Sequence, residues 1–344
     1  AKLEINLVLD ELEAKRTRAD EIRGLLGDDD SDPASSGRWG IVREELRDVL
    51  KELGKSKEAK RRTVIEAPTE EVEYSEEDFI VAEDTHLLVT RDGWVKRQKE
   101  IKEPSKSRIR DGDSVLACVA GSTRATVGFF SSAGTCYTAR FADLPSSTGF
   151  GEPIQKLFKL KDGERIVAVI SFDPRTLGGT IAEDPKNPDA CPMVHGFAAT
   201  SDGYALRFGL DKFQEPSTRS GRRFGRPSAG KSVIGALKVH GSETILAVTE
   251  RCRAIVCAAE EVNYLGGPGK GVRLIKVAKD DALLGFKASR GDRDLLTVET
   301  NRGAQKNIST VKYRTTARGG VGTEIQKNGR IKQIVHDPVS APTL

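Results

Sequence analysis

The 344-residue chain has no apolar run long enough to span a bilayer as a helix, which needs about eighteen residues. Its amino terminus also lacks the basic start, apolar core and small-residue cleavage site of a secretory leader, so a membrane or secreted precursor is not expected. The five cysteines, Cys118, Cys136, Cys191, Cys252 and Cys257, are odd in number and include no C-x-x-C pair. Neither a disulfide framework nor a zinc ribbon follows, and a reducing cytoplasm fits. The four histidines, at 86, 195, 240 and 336, stand far apart, which argues against a histidine metal site. No histidine lies in a recognisable acid–base motif beside a nucleophile, so the chain reads as non-catalytic and without a cofactor of its own.

What is present is charge, unevenly divided. The formal total is only +4, yet residues 200–335 carry 25 Lys and Arg against 13 Asp and Glu, while both preceding stretches are slightly acidic. Such a segment is an electrostatic footprint for a polyanion. Arginine dominates the cluster Arg219, Arg222, Arg223, Arg226, and its planar fork suits phosphate oxygens.

Two helices are predicted first, Lys2 to about Leu26 and Trp39 to Leu53, joined by the acidic turn 28–37 into an antiparallel hairpin over residues 1–60. A charged linker, 61–76, follows. From residue 77 to about 337 the helical period gives way to short β-type runs. These runs repeat. Thr90-Arg91-Asp92-Gly93-Trp94 returns as Ser131-Ser132-Ala133-Gly134-Thr135 and Thr200-Ser201-Asp202-Gly203-Tyr204, then more weakly around Cys252 and Gly303, with Cys252 an imperfect occupant of a glycine slot. Each copy reads as strand, tight turn and returning strand. A Pro-rich insertion from Pro174 to Pro192 accounts for the long interval between the second and third markers. A unit of roughly four strands repeated about five times predicts a mainly β, propeller-like blade array; an open sandwich of hairpins is the alternative.

Gly225–Ser232 spells the phosphate-loop pattern G-x-x-x-x-G-K-[ST], but neither a buried strand before it nor a helix after it is predicted, so a nucleotide hydrolase is the weaker reading. The same loop suits a phosphate-backbone contact. The candidate DNA-contacting residues are Lys96, Arg97, Arg108, Arg110, Arg140, Arg207, Arg219, Arg222, Arg223, Arg226, Lys231, Arg253, Lys270, Arg273, Arg302, Lys306 and Arg318. Cations recurring at comparable places in the units would form a rim that holds bent double-stranded DNA with little regard to sequence and strong sensitivity to salt. A protein-interaction scaffold on the same array would instead ignore duplex DNA.

The helix hairpin, the stretch Lys60-Arg61-Arg62-Thr63-Val64-Ile65, and Glu77-Asp78-Phe79-Ile80-Val81 followed by Gly93-Trp94-Val95-Lys96-Arg97 resemble the A subunit of bacterial type IIA topoisomerases. The resemblance implies the end of a coiled-coil stalk followed by a DNA-bending β-pinwheel. It also implies a nucleoid-associated cytoplasmic enzyme that dimerises through upstream A-subunit regions. ATP and magnesium chemistry would belong to a partner B subunit, and the catalytic tyrosine would lie upstream, so none of Tyr74, Tyr137, Tyr204, Tyr264 or Tyr313 takes that role. The glycine-bearing Gln-Arg-Arg box of gyrase is replaced by Gln98–Lys106, which has no glycine. Topoisomerase IV, relaxing and decatenating DNA, is therefore expected ahead of gyrase, with Arg318-Gly319-Gly320-Val321-Gly322 the nearest substitute for the box.

Overall fold

A computed structural model describes residues 2–27, 37–55 and 80–344, apart from 185, 186, 188, 189, 292 and 328. The predicted acidic turn lies almost wholly outside these residues, as do the 61–76 linker, the Arg61–Ile65 stretch, and Asp78 with Phe79. The chain divides into two compact units, residues 1–73 and 74–344.

In the first unit, helix α1 runs Lys2–Gly27 and α2 runs Arg38–Leu53. Gly54 ends α2, its N–H donating to Leu50 O over 2.9 Å. Among the described residues, none of α2 is buried, and Leu7, Leu12, Ile22, Leu46 and Leu50 are all exposed.

Among the described residues the second unit consists of five sheets, the blades of a β-pinwheel, antiparallel except where Tyr264–Leu265 runs parallel to Tyr204–Phe208. Four are built alike: a hairpin, an inner strand on one side of it and a two-residue outer strand on the other. The first blade has hairpin Asp84–Thr90 and Trp94–Gln98, inner strand Val115–Ser122 and outer strand Glu152–Pro153. The second has Thr126–Ser131 and Thr135–Arg140, with Ile166–Ser171 inside and Arg222–Arg223 outside. The third has His195–Thr200 and Tyr204–Phe208, with Val233–Val239 inside and both Tyr264–Leu265 and Val272–Arg273 outside. The fourth has Thr244–Thr249 and Arg253–Ala258, with Leu283–Ser289 inside and Thr323–Glu324 outside. The fifth has three strands: Leu296–Thr300, Gln305–Ile308 and the inner strand Ile331–Val335.

The five markers occupy one conformation. Gly93, Gly134, Gly203 and Gly303 have φ near +80°, and Cys252 has φ +55°, the one non-glycine residue with positive φ among those described. The reversal between hairpin strands forces the left-handed region at that position, which a side chain enters only at a cost.

The contiguous four-stranded unit expected from the sequence is corrected by the chain path. Each outer strand arrives only after the chain has built the hairpin of the next blade: Glu152–Pro153, for instance, follows the second blade's Thr135–Arg140 yet pairs with Trp94 and Val95 of the first. Adjacent blades are therefore interleaved.

Strand alternation explains why the hairpins are buried on both faces. Val127 and Phe129 meet Leu87, Val89 and Val95 of the first blade, whereas Phe130 meets Phe208 and Leu206 of the third. Likewise Ile245 and Ala247 turn to the third blade, and Leu246 and Val248 to the fifth. With period two, each sheet supplies one face to the blade before it and the other to the blade after it. This rules out the two-layered sandwich. The inner strands pack against one another in blade order. The last residues return to the first blade, where Val339 joins Leu88, Ile101 and Cys118 and Pro342 O lies 3.2 Å from His86 Nε2.

Candidate nucleic-acid interface

The outer strands are short, but the segments carrying them are joined end to end. Lys159 N–H donates to Arg219 O, Arg226 N–H to Gly269 O, and Lys276 N–H to Gly320 O, each over 2.8 Å. The segments of the first four blades thus form one continuous belt. A common geometry seats them: Gly151, Gly221, Gly271 and Gly322 all have positive φ, and a Cβ at any of them would lie within 3.0 Å of a carbonyl oxygen of the hairpin beneath, that of Val95, Cys136, Ala205 or Ala254.

Two sections of the belt hold only positive charge. Residues 216–231 carry Arg219, Arg222, Arg223, Arg226 and Lys231, and residues 266–279 carry Lys270, Arg273, Lys276 and Lys279, with no Asp or Glu in either. Arg219, Arg223, Arg226, Lys231, Lys270, Arg273 and Lys276 are exposed. The sequence reading missed Lys156, Lys159, Lys276 and Lys279; their place beside the Gly-rich loops was the signal available.

Aromatic rings immediately after the turn glycines anchor some of these cations. Lys270 Nζ stands 3.9 Å from the centroid of Tyr204, and an Arg273 guanidinium nitrogen donates to the Tyr204 hydroxyl over 3.3 Å. Arg273, with Lys270, draws the Tyr204 hydroxyl below the ordinary phenol range. At the equivalent position of the first blade, Arg110 lies over Trp94 at 4.8 Å, and nearby Arg108 lies over Phe150 at the same distance. Such stacking holds a cation at the surface without neutralising it.

Other candidates have structural duties. Lys96 is corrected outright. It is 1% exposed, and its ammonium donates to Arg108 O (2.7 Å) and Gly149 O (3.0 Å), out of reach of any phosphate. Burial, with the nearby Arg108 charge, lowers its pKa. Arg97 donates to Leu144 O at 3.3 Å, and Arg207 to Val262 O at 2.5 Å and Glu260 O at 3.2 Å, so each clamps its blade to the loop closing the next blade's hairpin. Arg222 spans the carbonyls of Lys212, Glu215 and Pro216, and Arg318 binds Glu261 O at 2.6 Å. All four are half-buried. Alternation along the strands carried no sign of these carbonyl-lined sites, because loops distant in sequence build them.

The remaining candidates scatter. Half-buried Arg140 lines a cavity of about 630 Å³ with Arg124 and Glu215. Arg253 pairs across strands with Glu324, which interrupts the positive belt on the fourth blade. It lines a cavity of about 560 Å³ with Arg251, Lys276, Asp281 and Arg330. Arg302 and Lys306 sit on the fifth blade, off the belt. The Gly225–Ser232 loop leads into the strand Val233–Val239, not a helix, and Ser228 Oγ donates to the Asp202 carboxylate at 2.5 Å, so a negative charge lies where a nucleotide phosphate would need to sit.

Residues 129–173, 197–223 and 243–290 match the family profile described as DNA gyrase C-terminal domain, beta-propeller. Over those three stretches the β-unit is similar to this family. The DNA gyrase A subunit of Salmonella typhimurium is 27% identical over 293 residues, covering 82% of this chain and 31% of that protein. The chain thus spans about a third of the length of the curated relatives it matches. Among solved structures, the C-terminal domain of DNA topoisomerase IV superposes with a TM-score of 0.64 at 19% identity, over 75% of this chain and 78% of that one. The DNA gyrase A C-terminal domain gives 0.52 at 18% identity, over 74% and 81%. The gyrase A-type propeller fold is common to all of these.

Proposed function

We propose that this chain is the DNA-binding and DNA-bending part of a type IIA topoisomerase A subunit, of the topoisomerase IV kind. The belt would grip duplex DNA by its phosphates over successive blades. It would present the bent duplex for ATP-dependent relaxation and decatenation by the complete enzyme, in which upstream A-subunit regions form the dimer and the B subunit supplies the ATPase and magnesium site. The fragment itself carries no catalytic role in this reading, and residues 1–60 serve as the end of a stalk.

The observation that carries the proposal is the end-to-end joining of outer segments, which makes separate cationic loops into one continuous track. Phosphate neutralisation releases counterions, so affinity for a duplex should fall steeply with salt whatever its sequence. The test is an anisotropy titration of labelled duplexes of two unrelated sequences across a salt series. Equal, salt-steep binding supports the reading, and indifference to duplex DNA sinks it in favour of a protein-interaction scaffold.

The relatives named as gyrase A subunits support a second reading, a wrapping domain for negative supercoiling. The glycine-free stretch Gln98–Lys106 supports topoisomerase IV. Ligating nicked circles in the presence of the chain separates them: a strong one-handed shift in linking number is expected of the gyrase kind, and a weak shift of the other.

A further inference from the structure

Among the described residues, four blades have an outer strand and the fifth has none. Among the described residues, Gln305–Ile308 pairs only with Leu296–Thr300, leaving its other edge unpaired. Counting from the turn markers, Ala304 and Gln305 stand where Trp94 and Val95, Thr135 and Cys136, Tyr204 and Ala205, and Arg253 and Ala254 stand in the other blades. All of those pairs are covered by an outer strand, whereas Ala304 and Gln305 are exposed. Around Gly303 the slot is empty. A Cβ there would meet nothing within 4 Å, while one at Gly93, Gly134 or Gly203 would meet Ile154, Gly225 or Ile275 of the outer segment.

We propose that this open edge of the fifth blade is a docking strand for an extended, acidic, glycine-bearing segment of a partner protein. The filled edges define the occupant. It needs a glycine, because the Cβ of any other residue would collide with the hairpin carbonyl, as at Gly151, Gly221, Gly271 and Gly322. Two strand residues follow. An apolar residue comes third, the place of Ile154, Phe224, Leu274 and Ile325, whose N–H donates to the carbonyl of the turn marker over 2.8–2.9 Å. The pattern is Gly-x-x-apolar, added by main-chain pairing with side-chain pockets for specificity. Charge sets the middle positions: residues 301–318 include Arg302, Lys306, Lys312, Arg314 and Arg318 and no acid, so they favour a carboxylate there.

The chain's own fourth-blade segment, residues 319–326, has the required pattern, Gly-Thr-Glu-Ile included, and supplies the probe. A fluorescein-labelled synthetic peptide of that sequence is titrated into the whole chain, with amide exchange followed at residues 304–308. Saturable binding with protection of the Gln305 amide is expected. Affinity should drop about tenfold or more when Gly322→Ala is made in the peptide, or when Gln305→Pro in the chain removes the edge donor. Should Gln305→Pro not fold, Arg302→Glu with Lys306→Glu gives the same reading through charge. Absence of saturable binding, or equal binding by the alanine peptide, overturns the proposal. So does a concentration-dependent dimer of the free chain that Gln305→Pro abolishes, which would assign the edge to a second copy, or duplex DNA protecting the same amides, which would assign it to nucleic acid. None of these results bears on DNA binding by the belt, which uses other residues.

Discussion

The amide of Arg226 donates to the carbonyl of Gly269 over 2.8 Å, and through that bond the outer segment of the second blade continues into that of the third. Exposed Arg223 and Arg226 on one side and Lys270 and Arg273 on the other are thereby held as one charged surface.

Arg223→Glu combined with Lys270→Glu is expected to weaken duplex binding at low salt by at least an order of magnitude. It should also flatten the slope of log K against log salt by about one for each phosphate that is no longer neutralised. Anisotropy titrations check this, with an unchanged melting temperature showing that the fold is intact.

Arg222 and Arg223 are adjacent in sequence and opposite in duty. Arg222→Ala leaves three carbonyls of the 212–216 loop without their donor, at an expected cost of about 1–3 kcal/mol in chemical denaturation. Arg223→Ala, on an exposed side chain, should leave stability within about 0.5 kcal/mol and lower DNA affinity instead.

Lys96→Ala should destabilise the first blade by about 2–4 kcal/mol, since it empties a buried volume and strips the carbonyls of Arg108 and Gly149 of their partner. Urea denaturation measures the loss. The salt dependence of DNA binding, measured on the folded variant, should keep its slope, which a phosphate-contacting lysine would not.

Gly203 and Gly303 share nearly the same φ, +81° and +79°. Gly303→Ala meets open space and should cost only the left-handed penalty, about 1–2 kcal/mol. Gly203→Ala drives a methyl into the carbonyl of Ile275 and the side chain of Val277, adding about 1–3 kcal/mol of overpacking. Equal losses in thermal melts would show that the two turns are equally covered.

Asp173 accepts hydrogen bonds from the Arg175 side chain and from the amides of Ser122 and Arg175. The bond from Arg175, opposed by burial, holds its carboxyl below the ordinary 3.8. A carboxyl with a lower pKa in the folded state stabilises the fold above its unfolded pKa. That contribution fades as pH falls below about 4 and through the folded value. Melting temperature should therefore drop more steeply between about pH 5 and pH 2 for the unaltered chain than for Asp173→Asn.

The blade count was legible because backbone chirality leaves a mark in composition: the five reversals needed a permissive residue, and even the exception, Cys252, kept its place. The charge track was half legible, since Arg219–Arg226 and Lys270–Arg273 cluster in sequence as they do in space. The interleaving was not, because a two-residue outer strand has no period to detect and its partner lies in an earlier blade. Nor was the burial of Lys96, whose carbonyl partners come from residues 108 and 149. Arg207 and Arg318 look like surface cations in sequence for the same reason: main-chain acceptors carry no side-chain signature.

The interleaved path also sets the order in which the protein can be made. As the chain emerges from the ribosome, the first blade must wait with an unfilled edge until residue 153 appears, by which time the second hairpin already exists. The second, third and fourth blades wait in the same way for their successors. Assembly is thus a relay in which finishing one sheet commits the next, and a shortened product would expose the flank of its last complete neighbour to whatever strand the cell offers.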